Sequence, residues 1–256
     1  IEEAETVVAS GIKEIVLTGV NVGDFGKSTG ETLEELLGSL TKIAGLERIR
    51  LSSIEPNLLS NGIIELISRE PALMPHIHMP LQSGNDRILG LMRRRYRREV
   101  FSERIRMIRE VIPDASVGAD VIVGFPGETA GDFDDTCQFL EGLPVTYLHV
   151  FSFSARPGTP AATMPGAISA REKELRSRKL IRLSESRRTL FMRSFTGETA
   201  DVLFEKGDSD GMIAGFTGNY IRTVVPNAEG LSGTVRKVRL ASIRDDNSMN
   251  GELIKI

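Results

Sequence analysis

The sequence has 256 residues, of which 40% are hydrophobic and 26% charged, with a formal net charge of −3. This composition is typical of a globular chain with room for one large and one small domain, and it predicts no general attraction to nucleic acid. With no apolar run of the ~18 residues that a membrane span needs, and no signal peptide pattern at the start, we expect a cytoplasmic protein. The single cysteine, Cys137, excludes an internal disulfide and is too few to hold a metal cluster.

Over the first 160 residues, short runs of Val, Ile and Leu alternate with amphipathic helical patterns, which is typical of βα units around a parallel sheet. Three helical stripes of apolar residues separate the predicted strands, and Cys137 lies on the third, where we interpret it as core filler. The predicted strands cover residues 13–20, 46–53, 76–83, 116–124 and 145–154.

The two ends of the chain predict its domain organisation. Residues 2–10 form a predicted helix with no strand before it, so we expect a first strand and its functional loop to precede Ile1. Residues 169–194 carry nine Lys or Arg against three Glu, and the short segments after them, broken by Gly, Asn and Asp, indicate a small β-barrel. The sequence therefore predicts a partial α/β barrel (1–168), a basic connecting helix (169–192) and an all-β barrel (193–256).

Five polar or glycine-rich turns follow the five predicted strands. The carboxyl ends of parallel strands meet at one edge, so together these turns predict a cradle for a polar cofactor, although any one alone is only a turn. The sequence has no phosphate-binding loop and no dinucleotide fingerprint. His76 and His78 share one face of a strand, but two histidines make half a metal site, and we favour packing over metal binding. The turns cover residues 18–26, 52–57, 80–85, 124–129 and 153–161.

Several motifs at these turns resemble those of the radical S-adenosylmethionine methylthiotransferases, most closely the branch that modifies threonylcarbamoyladenosine in tRNA. The resemblance implies a partial (β/α)6 barrel without its first strand, followed by an OB-like TRAM barrel that binds RNA. It also implies S-adenosylmethionine and two [4Fe-4S] clusters as cofactors, although the family's Cys-x-x-x-Cys-x-x-Cys loop is not in these residues. The motifs are EIVLTGVNVGDFG (14–26), RIRLSSIEP (48–56), HMPLQSGNDRIL (78–89), LMRRRY (91–96), DVIVGFPGET (120–129) and LHVFSFSARPGTPA (148–161).

By position, the resemblance assigns a set of residues at these turns to S-adenosylmethionine binding. None is given a proton-transfer role, no catalytic residue is assigned, and the cluster cysteines are expected before Ile1. The last residue of the set is the best candidate for pairing with a carboxylate, of the cofactor or of the substrate. The residues are Thr18, Gly19, Asn21, Ser52, Ser53, Glu55, Gln82, Ser83, Asp120, Val123, Phe151, Phe153 and Arg156.

Five arginines within residues 93–98 follow the Pro-Leu-Gln-Ser-Gly turn, where a polyanionic substrate would approach the cradle. The alternatives are RNA contact and a solvated helix face without acidic partners, and we favour RNA contact. Basic residues of the terminal barrel extend the predicted RNA-binding set. The full set is Arg93, Arg94, Arg95, Arg97, Arg98, Arg222, Arg236, Lys237 and Arg239.

The resemblance implies a tRNA methylthiotransferase that converts N6-threonylcarbamoyladenosine at position 37, beside the anticodon, to its 2-methylthio derivative. Its partners would be the tRNA anticodon stem-loop, an electron donor and a sulfur source, with no membrane. Three alternatives stay open: isopentenyladenosine in tRNA as substrate, an aspartate of a ribosomal protein as substrate, or an RNA-binding module without catalysis. These 256 residues alone are expected to be inactive, because the cluster cysteines are not among them.

Overall fold

The computed structural model describes residues 1–205 and 211–254. Its first part contains parallel strands that alternate with helices, and all five predicted strands are confirmed. The strands are β1 (Glu14–Leu17), β2 (Arg48–Leu51), β3 (His76–Gln82), β4 (Ser116–Val123) and β5 (Tyr147–Ser152). The helices are α1 (Glu2–Ala9), α2 (Leu33–Leu40), α3 (Asn61–Arg69), α4 (Asp86–Leu91), α5 (Arg98–Val111), α6 (Ala130–Glu141) and α7 (Ala170–Ser194).

The parallel strands form two neighbouring sheets. β1 pairs with β2 in one sheet, and β3, β4 and β5 follow one another in the second. A bridge between Ile49 and Leu73 and a hydrogen bond from the Ile54 amide to the His78 carbonyl (3.0 Å) join the two sheets. The described residues thus supply five parallel strands, and the six-unit barrel stays a prediction.

Side chains alternate strictly between the two faces of the sheets, as the period of a β-strand requires. Ile77, Met79, Val117 and Val121 are buried under the helices in one continuous apolar core. The residues between them point to the opposite face, which we call the inner face, and many are polar. Cys137 on α6 belongs to the apolar core and is 3% exposed, which confirms its interpretation as core filler. Burial raises the pKa of its thiol.

Helix α7 packs along β5 and carries the predicted basic segment. Its first turn is capped by the Ser169 hydroxyl, which accepts a hydrogen bond from the Glu172 amide. The Ser184 hydroxyl accepts from the Leu148 amide (2.8 Å) and donates to the Leu148 carbonyl (3.1 Å), which fixes the helix against the strand. Among the helices of the described ranges, none combines the length and apolar character needed to cross a membrane.

The C-terminal part is a closed five-stranded barrel, as the spacing of its short segments predicts. Its strands neighbour one another in the order β10, β8, β7, β6, β9, and Val202, Phe204, Ile213, Val225 and Val238 fill its interior. The strands are β6 (Thr199–Phe204), β7 (Met212–Thr217), β8 (Arg222–Pro226), β9 (Val235–Ile243) and β10 (Met249–Leu253).

Two arginines of β2 dock this barrel against the amino-terminal ends of the parallel strands. Arg48 donates hydrogen bonds to the carbonyls of Phe216 (2.8 Å) and Asp201 (2.7 Å). Arg50 donates to the carbonyls of Gly218 (2.8 Å) and Thr217 (2.7 Å). Both side chains are 4% exposed, so their charges are satisfied mainly by these carbonyls and by a nearby carboxylate, Glu14. The terminal barrel therefore closes one end of the inner face.

Candidate functional site

A cavity of about 450 Å³ lies between the inner face and the terminal barrel. Each of the five parallel strands contributes to its wall, because alternate residues of every strand point inward. The terminal barrel closes it with Phe216 and Tyr220, and the Tyr220 ring stacks on His76 at a centroid distance of 4.2 Å. The inward residues that give the cavity its polar character are Glu14, Arg50, Ser52, His76, His78, Asp120 and His149.

A chain of hydrogen bonds joins the polar side chains of β3, β4 and β5 within this cavity. The Tyr147 hydroxyl lies 2.8 Å from Nε2 of His76 and 3.1 Å from Nδ1 of His78. Nε2 of His78 lies 2.9 Å from Oδ1 of Asp120, and Nδ1 of His149 lies 3.4 Å from the same oxygen. His149 is the member of this network most open to the cavity, with 52% of its side chain exposed.

The electrostatics of the network keep Asp120 ionised and His76 neutral. Burial opposes ionisation of Asp120, but hydrogen bonds from His149 and His78 outweigh it and hold the pKa of the carboxyl well below its usual range. Burial, together with the charge of Arg50, lowers the pKa of His76 to about 3. The cavity therefore presents a fixed negative charge between two imidazoles.

A second, more apolar groove of about 520 Å³ lies at the carboxyl ends of β4 and β5. Phe125 and Phe153 meet edge to face in its wall, with ring centroids 5.2 Å apart. Arg93 and Arg94 border the groove, so part of the arginine cluster lies at the strand edge where the sequence predicted it. The shape and lining of this groove suit a flat ring system.

The structure brings some of the predicted cofactor residues together. Ser52, Ser53 and Asp120 line the cavity, and Phe153 lines the groove. The buried Oγ of Ser52 has no hydrogen-bond partner within the described residues, and Oδ1 of Asn21 is in the same situation. Such buried polar atoms need a ligand or water, so they fit a polar molecule at this edge. Thr18 and Gly19 are exposed at the end of β1, and Phe151 is exposed beside His149.

Nine of the thirteen predicted cofactor residues lie outside the lining of this cavity and groove, and two of them, Val123 and Ser83, are buried elsewhere. Val123 belongs to the apolar core under the helices, whereas its neighbour Ile122 lines the groove. Ser83 is fully buried, and its hydroxyl lies 3.3 Å from that of Thr136 on α6.

Three others, Gln82, Glu55 and Arg156, also lie outside the lining of the cavity and groove. Gln82 is 8% exposed with a φ of 67°, in the left-handed region, where it ends β3. Glu55 lies 3.6 Å from Arg94 in an ion pair. Arg156 is exposed, and no carboxylate of residues 1–205 and 211–254 lies within ion-pair distance of it.

Most of the arginine cluster lies in an irregular loop between α4 and α5 rather than on a helix face, and RNA contact stays a prediction. The buried Tyr96, whose hydroxyl donates to the Pro80 carbonyl, anchors the middle of the loop. Arg94 pairs with Glu55, which also corrects the expectation that the cluster lacks acidic partners. Arg98 begins α5 and donates to the Gly84 carbonyl at 3.1 Å. The remaining exposed arginines are Arg93, Arg95 and Arg97.

On the terminal barrel, three of the four predicted RNA contacts are paired with carboxylates. Arg222 lies 4.0 Å from Asp246, and Lys237 lies 3.3 Å from Asp201. The guanidinium of Arg239 lies 3.6 Å from Glu252. All three are exposed, and Arg236 is exposed as well. The barrel therefore offers less free positive charge than its basic residues suggest.

Sequence reasoning missed Tyr147 and His149 as site residues. Both lie on β5 at alternate positions with Phe151, which was predicted, so the period of the strand carried the signal. Glu14 begins β1 and Arg50 lies within β2, so both were missed because the prediction relied on the turns that follow the strands.

A parallel α/β core with a polar inner face and glycine-rich turns at the carboxyl ends of its strands defines an α/β protein that binds a polar ligand within its sheet. The family model "Radical SAM superfamily" matches residues 1–140, and the chain belongs to this family. The chain is also similar to the threonylcarbamoyladenosine tRNA methylthiotransferase MtaB of Bacillus subtilis, with 35% identity over 94% of this chain and 54% of that protein. A second relative is the tRNA-2-methylthio-N(6)-dimethylallyladenosine synthase of Thermobifida fusca, with 40% identity over 80% of this chain and 42% of that protein.

The chain thus spans about half the length of these curated relatives. Among solved structures, the Escherichia coli radical SAM enzyme coproporphyrinogen III oxidase (HemN) matches with a TM-score of 0.54 and 13% identity, over 84% of this chain and 58% of that one. The radical SAM methyltransferase TsrM of Kitasatospora setae, whose structure holds cobalamin and a [4Fe-4S] cluster, matches with a TM-score of 0.52 and 18% identity, over 63% and 32%. At these identities the likeness concerns the fold alone.

Proposed function

We propose that this chain supplies the central barrel and the RNA-binding barrel of a cytoplasmic tRNA methylthiotransferase. Its substrate is N6-threonylcarbamoyladenosine at position 37, and its product is the 2-methylthio derivative. The observation that carries the proposal is the alignment with the Bacillus subtilis relative, which covers 94% of the chain and so extends beyond the parallel strands into the terminal barrel. We infer that this barrel is a TRAM module, and that an electron donor and a sulfur source complete the reaction.

The polarity of the cavity favours the threonylcarbamoyl substrate over isopentenyladenosine. A threonylcarbamoyl group carries a hydroxyl, a carboxylate and amide groups that need hydrogen-bond partners when buried. The cavity offers the half-exposed His149 and Ser53 as such partners. An isopentenyl group is a hydrocarbon, which would leave these polar groups without partners at a cost. The second candidate rests on the Thermobifida fusca relative, which is 40% identical but aligned over a smaller share of the chain.

We expect the native protein, reconstituted anaerobically with iron, sulfide, a reductant and S-adenosylmethionine, to methylthiolate tRNA that carries threonylcarbamoyladenosine. Nucleoside mass spectrometry of tRNA after the reaction measures the product. Parallel reactions with tRNA that carries isopentenyladenosine should give less than about a tenth as much product, because losing matched hydrogen bonds costs ~1.4 kcal/mol or more. Product on the isopentenyl substrate alone would replace our proposal with the second candidate.

The residues at the strand ends fit S-adenosylmethionine, a polar molecule with a flat base. The Ser52 hydroxyl and the Asn21 side-chain oxygen are buried polar atoms without partners in the described part of the chain, and the groove beside Phe125 and Phe153 suits an adenine ring. We infer that these residues hold the cofactor, which supplies the methyl group and the radical. Aromatic and hydroxyl contacts of this kind bind and orient it.

The same residues do not fit an iron–sulfur cluster. Cluster iron is held by cysteine thiolates, and the sequence contains a single cysteine. Cys137 is buried on α6 within the apolar core, away from the cavity, and burial raises the pKa of its thiol. Cluster ligation therefore belongs to cysteines other than those in this sequence, in agreement with the half-length match to the relatives.

Ser52→Ala is expected to weaken S-adenosylmethionine binding by about tenfold, since a lost hydrogen bond to a polar or charged group costs ~1–2 kcal/mol. Isothermal titration of the reconstituted protein measures the change, and tRNA affinity should stay within about twofold of the parent. Ser68→Ala is the matched control, because that hydroxyl is exposed on α3 and donates to the Glu65 carbonyl. Equal cofactor affinity in both variants would place the cofactor elsewhere.

We infer that the tRNA anticodon stem-loop approaches the carboxyl edge of the parallel strands. Arg93 and Arg94 of the α4–α5 loop border the groove at this edge, and Arg95 and Arg97 are exposed on the same loop. Helix α7 adds further positive charge. Phosphates are attracted by such local clusters even on a protein of net negative charge. The terminal barrel contributes through Arg236 and through the paired residues Arg222, Lys237 and Arg239.

A further inference from the structure

The chain contains three histidines, and all of them line the inner cavity. Two of them, His78 and His149, converge on Asp120, so that one atom of each side chain lies within 4.8 Å of the other two. The three residues come from three adjacent parallel strands. Asp120 is the direct partner of His149 in the β4–β5 register, and the β3–β4 register pairs Pro80 with Asp120, two residues after His78. The cluster is therefore fixed by the sheet itself.

We propose that His78, Asp120 and His149 form a binding site for a divalent transition-metal ion. Nε2 of His78, a carboxylate oxygen of Asp120 and Nδ1 of His149 are its ligands. Two imidazoles and one carboxylate are a donor set for first-row ions such as Zn²⁺ or Fe²⁺, and a poor one for Mg²⁺ or Ca²⁺, which prefer oxygen ligands.

The spacing of the donor atoms supports the proposal. An ion bound at about 2.0–2.1 Å with tetrahedral angles holds neighbouring ligand atoms about 3.3 Å apart. The distances from Asp120 Oδ1 to the nitrogens of His78 and His149 are 2.9 Å and 3.4 Å. The nitrogens of His78 and His149 lie within 4.8 Å of each other, and the half-exposed His149 ring has open space beside it on the cavity side.

The surrounding hydrogen bonds accommodate the tautomer that metal binding requires. When Nε2 of His78 is a ligand, its Nδ1 carries the proton and donates to the Tyr147 oxygen at 3.1 Å. The Tyr147 hydroxyl then donates to Nε2 of His76 at 2.8 Å, so each hydrogen bond of this network has one donor and one acceptor. Metal-bound histidines usually have such a partner on the second nitrogen, which orients the ring.

The site also has room for a further ligand. Asp120 and His149 are part of the wall of the 450 Å³ cavity, and 52% of the His149 side chain is exposed there. An ion held by three protein ligands beside open space keeps a coordination position for water or a small molecule, which is the arrangement of exchangeable rather than purely structural sites.

Zinc content tests the proposal on the native protein, purified without a polyhistidine tag and dialysed against Zn²⁺ and then against metal-free buffer. Elemental analysis counts zinc separately from the iron of any cluster. We expect about one zinc per chain bound through this site in the parent, and its loss in His149→Ala and Asp120→Asn. Competition titration with a zinc chelator should show a drop in affinity of more than about 100-fold in both variants.

Two further variants keep the test specific. Glu205→Gln removes a carboxylate that lines the same cavity but lies outside the cluster, and it should retain zinc at the parent's affinity. Tyr147→Phe removes the partner of His78 and should weaken zinc binding by about 10- to 100-fold without changing the stoichiometry. Equal zinc content and affinity in the parent and in His149→Ala, or no zinc in the parent, would overturn the proposal and leave a hydrogen-bonded cluster. His149 is half exposed, so its replacement should not unfold the chain.

Discussion

Arg176→Met is expected to lower the free energy of unfolding by about 3–5 kcal/mol, the cost of removing one partner of a buried ion pair. Nη1 of Arg176 lies 2.7 Å from Oε2 of Glu128, and the two side chains are 5% and 1% exposed. The guanidinium also bonds Glu172 and lies over the Phe133 ring at 5.2 Å. Without it, α7 loses its tie to the glycine-rich turn after β4. Urea unfolding at about pH 7.5 measures the loss.

The control and the pH dependence separate this explanation from a general effect of removing an arginine. Arg178→Met lies on the same helix but breaks an exposed pair with Glu174, so its effect should stay within about 0.5 kcal/mol.

Burial raises the pKa of the Glu128 carboxyl, and Arg176 opposes that rise. In the Arg176 variant this pKa goes higher still. A carboxyl group whose pKa is higher in the folded than in the unfolded protein lowers the free energy of unfolding as the pH rises. The loss of stability caused by Arg176→Met should therefore be smaller at about pH 5 than at about pH 7.5. An equal deficit at both pH values, or in both variants, would contradict the explanation.

The fold was largely predictable from the sequence because strands and helices here have clear periods. The alternation of apolar residues along β3 and β4 and the stripe that includes Cys137 on α6 each predict one buried face, and the structure confirms them. The phase of an individual residue is harder to predict. Val123 lies in phase with the buried Val117 and Val121, whereas Ile122 lines the groove, and because both residues are apolar their type alone does not tell which one faces inward. The domain boundaries proposed at residues 168 and 192 remain predictions.

The site was less predictable than the fold because its residues come from several strands. His78, Asp120 and His149 meet only through the register of three strands, which no local pattern reveals. His78 was noticed but lacked a visible third partner, and His149 lies in the middle of an apolar strand. Similarly, Arg50 looks like a surface residue of β2 until the terminal barrel covers it. Contacts between distant segments are set by tertiary packing, which sequence patterns do not encode locally.

For the arginine cluster, composition alone does not tell which side chains are free to contact RNA, because the backbone conformation decides which of them are exposed. Five arginines near two helical patterns suggested a helix face, on which only some could reach one surface. Asn85 caps a short α4, and Arg93, with a φ of 57°, ends it in the left-handed region. The loop that follows exposes Arg93, which lines the groove, and also Arg95 and Arg97, while Arg94 and Arg98 are occupied by Glu55 and by the Gly84 carbonyl. Within the cluster, the predicted contact with RNA is therefore limited to Arg93, Arg95 and Arg97.

Replacing Arg93, Arg95 and Arg97 together with Gln is expected to lower tRNA affinity by roughly 100-fold at low salt. Each guanidinium that neutralises a phosphate releases counterions, so the logarithm of affinity falls with the logarithm of salt by about 0.7–0.9 per contact. Three lost contacts should flatten that slope by about 2–2.7 units. Filter binding between about 0.05 and 0.3 M salt measures both quantities. The left-handed backbone at Arg93 strains Gln and Arg alike, so the fold should not change.

The matched control removes three positive charges from the helical side of the protein. Lys42, Arg69 and Arg106 are exposed after α2, at the end of α3 and on α5. Their replacement by Gln changes the net charge by the same amount, so any effect on the slope from net charge alone appears in this variant too. We expect its slope to change by less than about 0.5, since charges more than a Debye length of ~8–10 Å from the RNA are screened. S-adenosylmethionine affinity should stay at the parent's value in both variants. If the two triple variants bind tRNA equally well, the α4–α5 loop is only a solvated surface, and RNA recognition then rests on α7 and the terminal barrel.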